Sequence, residues 1–414
     1  VKTKLFQRDF TMVVVGQIIS LFGNNVLRYA LPLYLLNQTH SAALFGAVSA
    51  CAFLPMIALA PVGGLAADRV NKRNIMVILD FSTAALIAFY AAIFESAGTV
   101  ALLVAVLMLL YGIQGAYQPA VQSSIPALVA ESDLMAGNAV INLVNSLAGL
   151  VGPVLGGVLF GFWGLRPVLL LSVVCFTFSA VMELFIRIPF EKQSHESGVF
   201  ATAAADMKES FRFIRRDCPT VGRAGLVLAG INLVFSSLII IGLPVVICEH
   251  LGFSQSVGDR LYGYAEGALA AGGLIGGMLA GTVGRRLDIR RAHRTLLLCT
   301  LTLLPIGLVL LLRVNALPAF FVLASSCLVM MALSTLLSIQ LMAYVQKITP
   351  PRLIGKVTAL CTCLVMCAHP VGQALYGVLF ERFASGLGWL FFLSFAACLP
   401  LCAASKRIFD RLPA

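Results

Sequence analysis

The sequence predicts an all-α membrane protein of twelve transmembrane helices in two pseudo-symmetric six-helix bundles, and three observations carry that prediction. Of 414 residues, 60% are hydrophobic and only 11% charged, with a mean hydropathy of +0.96, which is more apolar surface than a soluble core encloses. At about 20 apolar residues per spanning helix, the chain has room for twelve spans joined by short connections. The net charge of +11 is distributed by side: 24 of the 29 Lys and Arg residues fall in the same alternate set of connections. By the positive-inside rule that set faces the cytoplasm. The excess therefore marks a membrane topology and not a nucleic-acid partner.

The apolar runs place spans at 10–36, 41–67, 74–95, 98–125, 136–161, 166–187, 223–248, 260–283, 295–313, 317–346, 354–380 and 386–404. Lys2, Lys4 and Arg8 lead directly into the first run with no small-residue cleavage site behind a short core, so a retained first helix is expected. The even number of spans and the placement of basic residues put both termini in the cytoplasm. Between about Arg187 and Arg223 the composition turns polar. This divides the chain into bundles at 1–187 and 223–414 with a linker at 188–222, in which Met207, Phe211 and Ile214 suit a helix lying on the membrane surface. The two halves echo each other: Gly63–Arg73 aligns without gaps with Gly276–Arg286, and Gly157-Val158-Leu159-Phe160 with Gly377-Val378-Leu379-Phe380. Parallel repeats with a ligand site between them describe a transporter architecture.

The chain has eleven cysteines, ten of them in or at the edges of apolar runs, which makes them small buried hydrophobes rather than a disulfide framework or a metal site. No cofactor and no metal are expected. There is no G-x-x-x-x-G-K-[ST] loop for ATP, no H-E-x-x-H pair and no nucleophile triad, so the chain is not expected to be an enzyme.

The segment Gly64 to Arg73 reads G-L-A-A-D-R-V-N-K-R and resembles the loop 2/3 signature of the major facilitator superfamily, G-x-x-x-D-R-x-G-R-R/K. Small residues here allow spans 2 and 11 to approach. The resemblance implies a conformational latch of Gly64, Asp68, Arg69, Lys72 and Arg73, with Asp80 nearby in span 3. Asp68 can cap a helix N-terminus, and Asn71 stands at the family's second glycine, where Asn tolerates positive φ.

Span 5 resembles the Gly-Pro-x-x-Gly-Gly signature of the superfamily's drug antiporters at Gly149, Gly152, Pro153, Gly156 and Gly157, although Ala148 and Ala139 replace glycines. Gly149, Gly152 and Gly156 share a face that continues the stripe of Asn138, Asn142 and Asn145, so a close-packed seam is expected, with a bend at Pro153. In span 4, Gln114-Gly115 is present, but Tyr111 occupies the position of the arginine that the family ties to proton transfer. Over its whole length the chain resembles the macrolide-efflux branch of bacterial exporters, in segments such as YQPAVQSSIPALVAESDL and FGNNVLRYALPLYLL. Siderophore exporters and lysophospholipid transporters look similar at this level.

Charges inside spans are expensive and therefore informative. Arg28 in span 1 and Glu266 in span 8 are the candidates for proton coupling or gating, and His369, ahead of Pro370 in span 11, is a third. Glu183, with Arg187 four residues on, reads as a snorkelling surface pair. Polar stripes place Gln17, Asn24, Tyr111, Gln114, Gln118, Asn142, Asn145, Asn232, Phe235, Ser338 and Gln373 on a substrate cavity. Amides and hydroxyls among apolar groups suit a large amphiphilic ligand better than a sugar.

The expectation is thus a transporter that exports a hydrophobic or amphiphilic small molecule by alternating access in exchange for protons, as a monomer in the bacterial cytoplasmic (inner) membrane. A siderophore or lipid-like substrate, uncoupled facilitation and a non-transporting receptor are the alternatives.

Overall fold

The computed structural model describes residues 7–95, 100–130, 133–188, 212–217, 219–283, 289–350, 353–384 and 386–409. They are almost entirely helical, with no strand among the described residues. Twelve long helical elements follow in order: α1 Arg8–Thr39, α2 Ala42–Arg69, α3 Lys72–Ile93, α4 Val100–Leu128, α5 Leu134–Trp163, α6 Leu165–Leu184, α7 Pro219–His250, α8 Gln255–Val283, α9 Ile289–Leu311, α10 Ala316–Ile348, α11 Ile354–Arg382 and α12 Leu387–Phe409. Eleven of them are long and apolar enough to cross a membrane. The twelfth, α8, has 29 residues, and Asp259, Arg260, Glu266 and its glycines hold down its hydropathy. Of the linker at 188–222, the described residues are Ile188, Arg212, the π-helical turn Phe213–Asp217 and the start of α7 from Pro219. Met207 and Phe211, on which the expected surface helix rests, lie outside the described residues.

Local chemistry explains the helix ends. Asn71 accepts a 3.0 Å hydrogen bond from the backbone N–H of Arg73 and so caps α3. Its φ is −57°, which corrects the expected positive-φ turn: the side chain serves as an N-cap, a role that needs no left-handed backbone. Gly164, at φ +74°, makes the tight connection between α5 and α6. Thr302 separates two helical stretches within α9, where Pro305 removes the N–H that the carbonyl of Leu301 would accept. π-Turns at Asn232–Ser236 and Val245–His250 interrupt α7.

The chain forms two compact units. One comprises Val1–His40, Val48–His195 and Ser254–Tyr264, and the other Ser41–Ala47, Glu196–Phe253 and Ala265–Ala414. Compactness thus groups the chain differently from composition at two places, the first turns of α2 and the first turns of α8. In the first unit α1 is the central helix, packed by α5 and α6. Small residues permit the α1–α6 contact: Ser179 donates to the carbonyl of Gly16 at 3.1 Å and Ser172 to that of Gly23 at 3.4 Å. Phe10, Val13, Tyr117, Val121, Ile125, Ile141 and Ile186 fill one end of this core. In the second unit α11 packs against α7, and α9 lies between α10 and α12.

Candidate functional site

The polar stripes predicted on α1 and α4 face each other and run antiparallel. Arg28 places its guanidinium carbon 4.4 Å from the ring centroid of Tyr111, Asn24 donates to the side-chain carbonyl of Gln114, and Gln17 donates to the Tyr117 hydroxyl at 2.5 Å. Tyr117 then donates to Oε1 of Glu183 on α6 at 2.8 Å. Beside this ladder, Ser20 donates to Oδ1 of Asp80 on α3 at 3.1 Å, and Ser179 is also within hydrogen-bond reach of Asp80. Ser20, Asn24, Asp80, Thr83, Gln114 and Tyr117 line one small cavity.

Glu183 corrects an expectation. It is 0% exposed and bound to Tyr117, while Arg187 is exposed beyond the end of α6 with its backbone N–H on Asp9 at 3.3 Å. One helical turn separates the two, but α6 presents Glu183 to α1 and α4 rather than to the surface. Asp80, grouped with the latch in sequence, is 3% exposed and bonded within the unit. Arg69 is exposed, and Lys72 and Arg73 are half-buried at the α2–α3 turn. Asp68 is on the last turn of α2 with its side chain outside the described residues.

Two glycine expectations are also revised. A Cβ on Gly64 would meet nothing within 4 Å, whereas one on Gly63 would stand 2.5 Å from Cα of Ala116 on α4. One step of about 100° around the helix separates these faces. The close approach of α2 to α11 is made instead by Gly46, where a Cβ would stand 2.7 Å from Cα of Gly377. In α5, Gly152 and Gly156 abut Asn25, Val26 and Tyr29 of α1, but Gly149 has open space, so the seam is shorter than predicted. Asn142 is exposed and Asn145 donates to the carbonyl of Ile141 in its own helix. Pro153 sits inside an unbroken helix.

Gly157 has a different role that the sequence did not reveal. A Cβ on it would stand 2.8 Å from Cα of Gly263, so the first turns of α8 seat directly on α5. Around this contact Tyr29 stacks on Tyr262 at 4.8 Å and Asn37 donates to both carboxylate oxygens of Asp259 at 3.0 and 3.2 Å. Tyr29 also donates to the Asp259 carbonyl. In sequence Glu266 is the charge that stands out in α8, and Asp259 lies just outside the predicted span 260–283.

In the second unit, Glu266 is half-buried and near Cys327 of α10. The π-turn of α7 turns Asn232 so that it accepts from Ser236 at 3.1 Å. Ser237 donates to the carbonyl of His369 at 3.3 Å. Ser338 is half-buried, as is Gln118 in the first unit. Three predicted lining residues are wholly enclosed by protein: Gln17 and Gln373 at 0% and Phe235 at 2% exposure.

Residues 13–373 match the family profile described as Major Facilitator Superfamily. The chain is 25% identical over 407 residues to macrolide efflux protein A of Streptococcus pyogenes, covering 95% of this chain and 94% of that protein. It is 24% identical over 416 residues to the multidrug efflux pump Tap of Mycobacterium tuberculosis (strain ATCC 25618 / H37Rv), covering 97% and 93%. Among solved structures, a bacterial homologue of the iron transporter ferroportin in an inward-facing state superposes with a TM-score of 0.75 at 16% identity, covering 98% of this chain and 99% of that one. A D-xylose-proton symporter gives a TM-score of 0.74 at 13% identity, covering 98% of each chain. At those identities the structures speak for the fold alone. A family match over nearly the whole sequence, a fold shared with solved transporters and a polar interior built across α1, α3, α4 and α6 lead to one conclusion: this chain belongs to the Major Facilitator Superfamily and is a multi-pass membrane transporter of small molecules, not an enzyme.

Proposed function

We propose that this transporter exports a hydrophobic or amphiphilic, macrolide-type compound from a bacterial cell by alternating access, in exchange for protons. It would work as a monomer in the cytoplasmic (inner) membrane with both termini in the cytoplasm. The observation that carries the proposal is the pairing of Arg28 with Tyr111. Tyr111 stands where the family's drug antiporters carry an arginine, and Arg28 brings a guanidinium to that position from the neighbouring helix. In this reading Arg28 supplies the positive charge that Tyr111 does not. Relatives named for macrolide and multidrug efflux, each matched over more than nine-tenths of both chains, support the substrate class.

Glu266 is the proposed proton carrier in exchange with substrate, and Arg28 is proposed as a proton-coupling or gating residue within the first unit. An ionisable group on a spanning helix is a functional site by default, and a carboxyl that alternates between a polar and an apolar setting takes up and releases a proton. His369 is proposed as a secondary titrating or substrate-contacting group. Asn24, Gln114, Gln118, Asn232 and Ser338 would give the ligand hydrogen bonds among apolar walls. Asp68 with Arg69, Lys72 and Arg73 is proposed as the latch at the α2–α3 turn.

The test is accumulation of a labelled macrolide, a cationic dye, a siderophore and a lysophospholipid in bacteria expressing the chain. Lower macrolide or dye accumulation that a protonophore restores is the expected result. Selective depletion of the siderophore or lysophospholipid would replace the substrate class, and depletion indifferent to the protonophore would replace proton exchange with another driving force.

A further inference from the structure

Asp80 and Glu183 are used neither by the proposed exchange at Glu266 nor by any ion pair among the described residues. They lie on α3 and α6, 3% and 0% exposed, near enough for a charge on Asp80 to act on Glu183. Each has one oxygen committed, Asp80 Oδ1 to Ser20 and Glu183 Oε1 to Tyr117. The second oxygens, Asp80 Oδ2 and Glu183 Oε2, are buried without a hydrogen-bond partner, as is the neighbouring Gln17 Oε1.

The surroundings supply dipoles but no balancing charge. Gln17, Ser20 and Asn24 face the pair from α1, Thr83 from α3, Gln114 and Tyr117 from α4, and Ser179 from α6. Arg28 is stacked on Tyr111, Arg187 is exposed, and Arg73, whose Nε is buried without a hydrogen-bond partner, is seven residues before Asp80 on the same face of α3, about 10 Å away along its axis; none of the three is ion-paired to either carboxyl among the described residues. Two neighbouring carboxylates with no counter-charge cannot both stay ionised in an apolar interior, so such a pair binds a cation. Among the described residues no group of three or more His, Cys, Asp or Glu side chains is placed to hold a metal ion, and a proton is the one cation that a pair of carboxyls binds without further ligands.

We propose that Asp80, Glu183 and Tyr117 form a proton-binding site inside the first unit, in which the two carboxyls hold one proton between them. The proton is taken from water by Asp80 Oδ2 or Glu183 Oε2 and returned to water, and no other bond is made or broken. Asp80 shares its cavity with Asn24 and Gln114, and Tyr117 joins Glu183 to Gln17, so the site opens onto the polar ladder proposed to meet substrate. Tyr117 is a positioning residue that fixes the Glu183 carboxyl. Proton occupancy stands apart from the export proposal, which bears only on how the proton is used.

Infrared difference spectroscopy on the purified full chain in lipid nanodiscs, without substrate, tests occupancy directly. Wild type at neutral pH is expected to show a protonated-carboxyl C=O stretch that disappears in the double variant Asp80→Asn, Glu183→Gln and persists in Glu266→Gln. A C=O region unchanged in the double variant would overturn the proposal, because both carboxyls would then be ionised in wild type. If the double variant does not fold, Tyr117→Phe is the second probe. It should shift the band to higher frequency by removing a hydrogen bond, and an unshifted band would count against the site. Loss of the band when choline chloride is replaced by sodium chloride would also overturn it, by assigning the pair to sodium. A band that behaves as expected in a protein that moves no drug would leave the site standing and remove the export proposal.

Discussion

The Tyr117 hydroxyl lies between two helices' polar groups, donating to Glu183 at 2.8 Å and accepting from Gln17 at 2.5 Å. All three side chains are buried. This one hydroxyl satisfies an acceptor on α6 and a donor on α1, so the interior of the first unit depends on it. Tyr117→Phe leaves both groups unsatisfied, and loss of about 1–3 kcal/mol of stability is expected. Glu183→Gln keeps an acceptor for Tyr117 and should cost less. Thermal unfolding of the two variants in the same detergent decides this, and equal midpoints would contradict it.

The glycines of α5 are not equivalent. Gly157→Ala places a Cβ 2.8 Å from Cα of Gly263, and overpacking of this kind costs about 1–3 kcal/mol. Gly149→Ala enters open space and should change stability by less than about 0.5 kcal/mol. Transport should fall in the first variant and hold in the second. The reverse order would show that the motif acts through the face that Gly149 presents.

At the α2–α3 turn, Asn71→Ala removes the cap on α3 and should cost about 1 kcal/mol. Asn71→Gly, the residue usual in the family, should cost only a few tenths of a kcal/mol, since glycine is tolerated at this position. Equal losses for both would mean that the Asn71 side chain does something other than cap.

Arg28 rests on the face of Tyr111, a contact worth about 0.5–2 kcal/mol. Tyr111→Phe should keep Arg28 in place and keep transport, while Tyr111→Ala should lose both. Full activity in Tyr111→Ala would mean that the guanidinium is not held for use at that position.

The architecture was legible because hydropathy and the placement of basic residues are one-dimensional properties of a chain crossing a bilayer. The α1 and α4 stripes were legible for the same reason, since helical spacing gathers Gln17, Asn24 and Arg28 on one face and Tyr111 and Gln114 on another. Which partner a face meets is set by helix packing, and there the sequence misled. Glu183 with Arg187 one turn on has the spacing of a surface pair, yet rotation of α6 about its axis decides between surface and interior. Gly63 and Gly64 look alike in a motif but differ by one step around α2. Asp259, with Asn37 as its partner 222 residues away, gave no local signal.

Proteoliposomes that carry the purified protein and an internal pH-sensitive dye test the central claim, that drug leaves in exchange for protons through Glu266, most directly. Addition of a macrolide is expected to start a proton flux that wild type supports and Glu266→Gln abolishes, with macrolide binding retained in the variant. Macrolide movement with no proton flux, or a flux undiminished in Glu266→Gln, would contradict it.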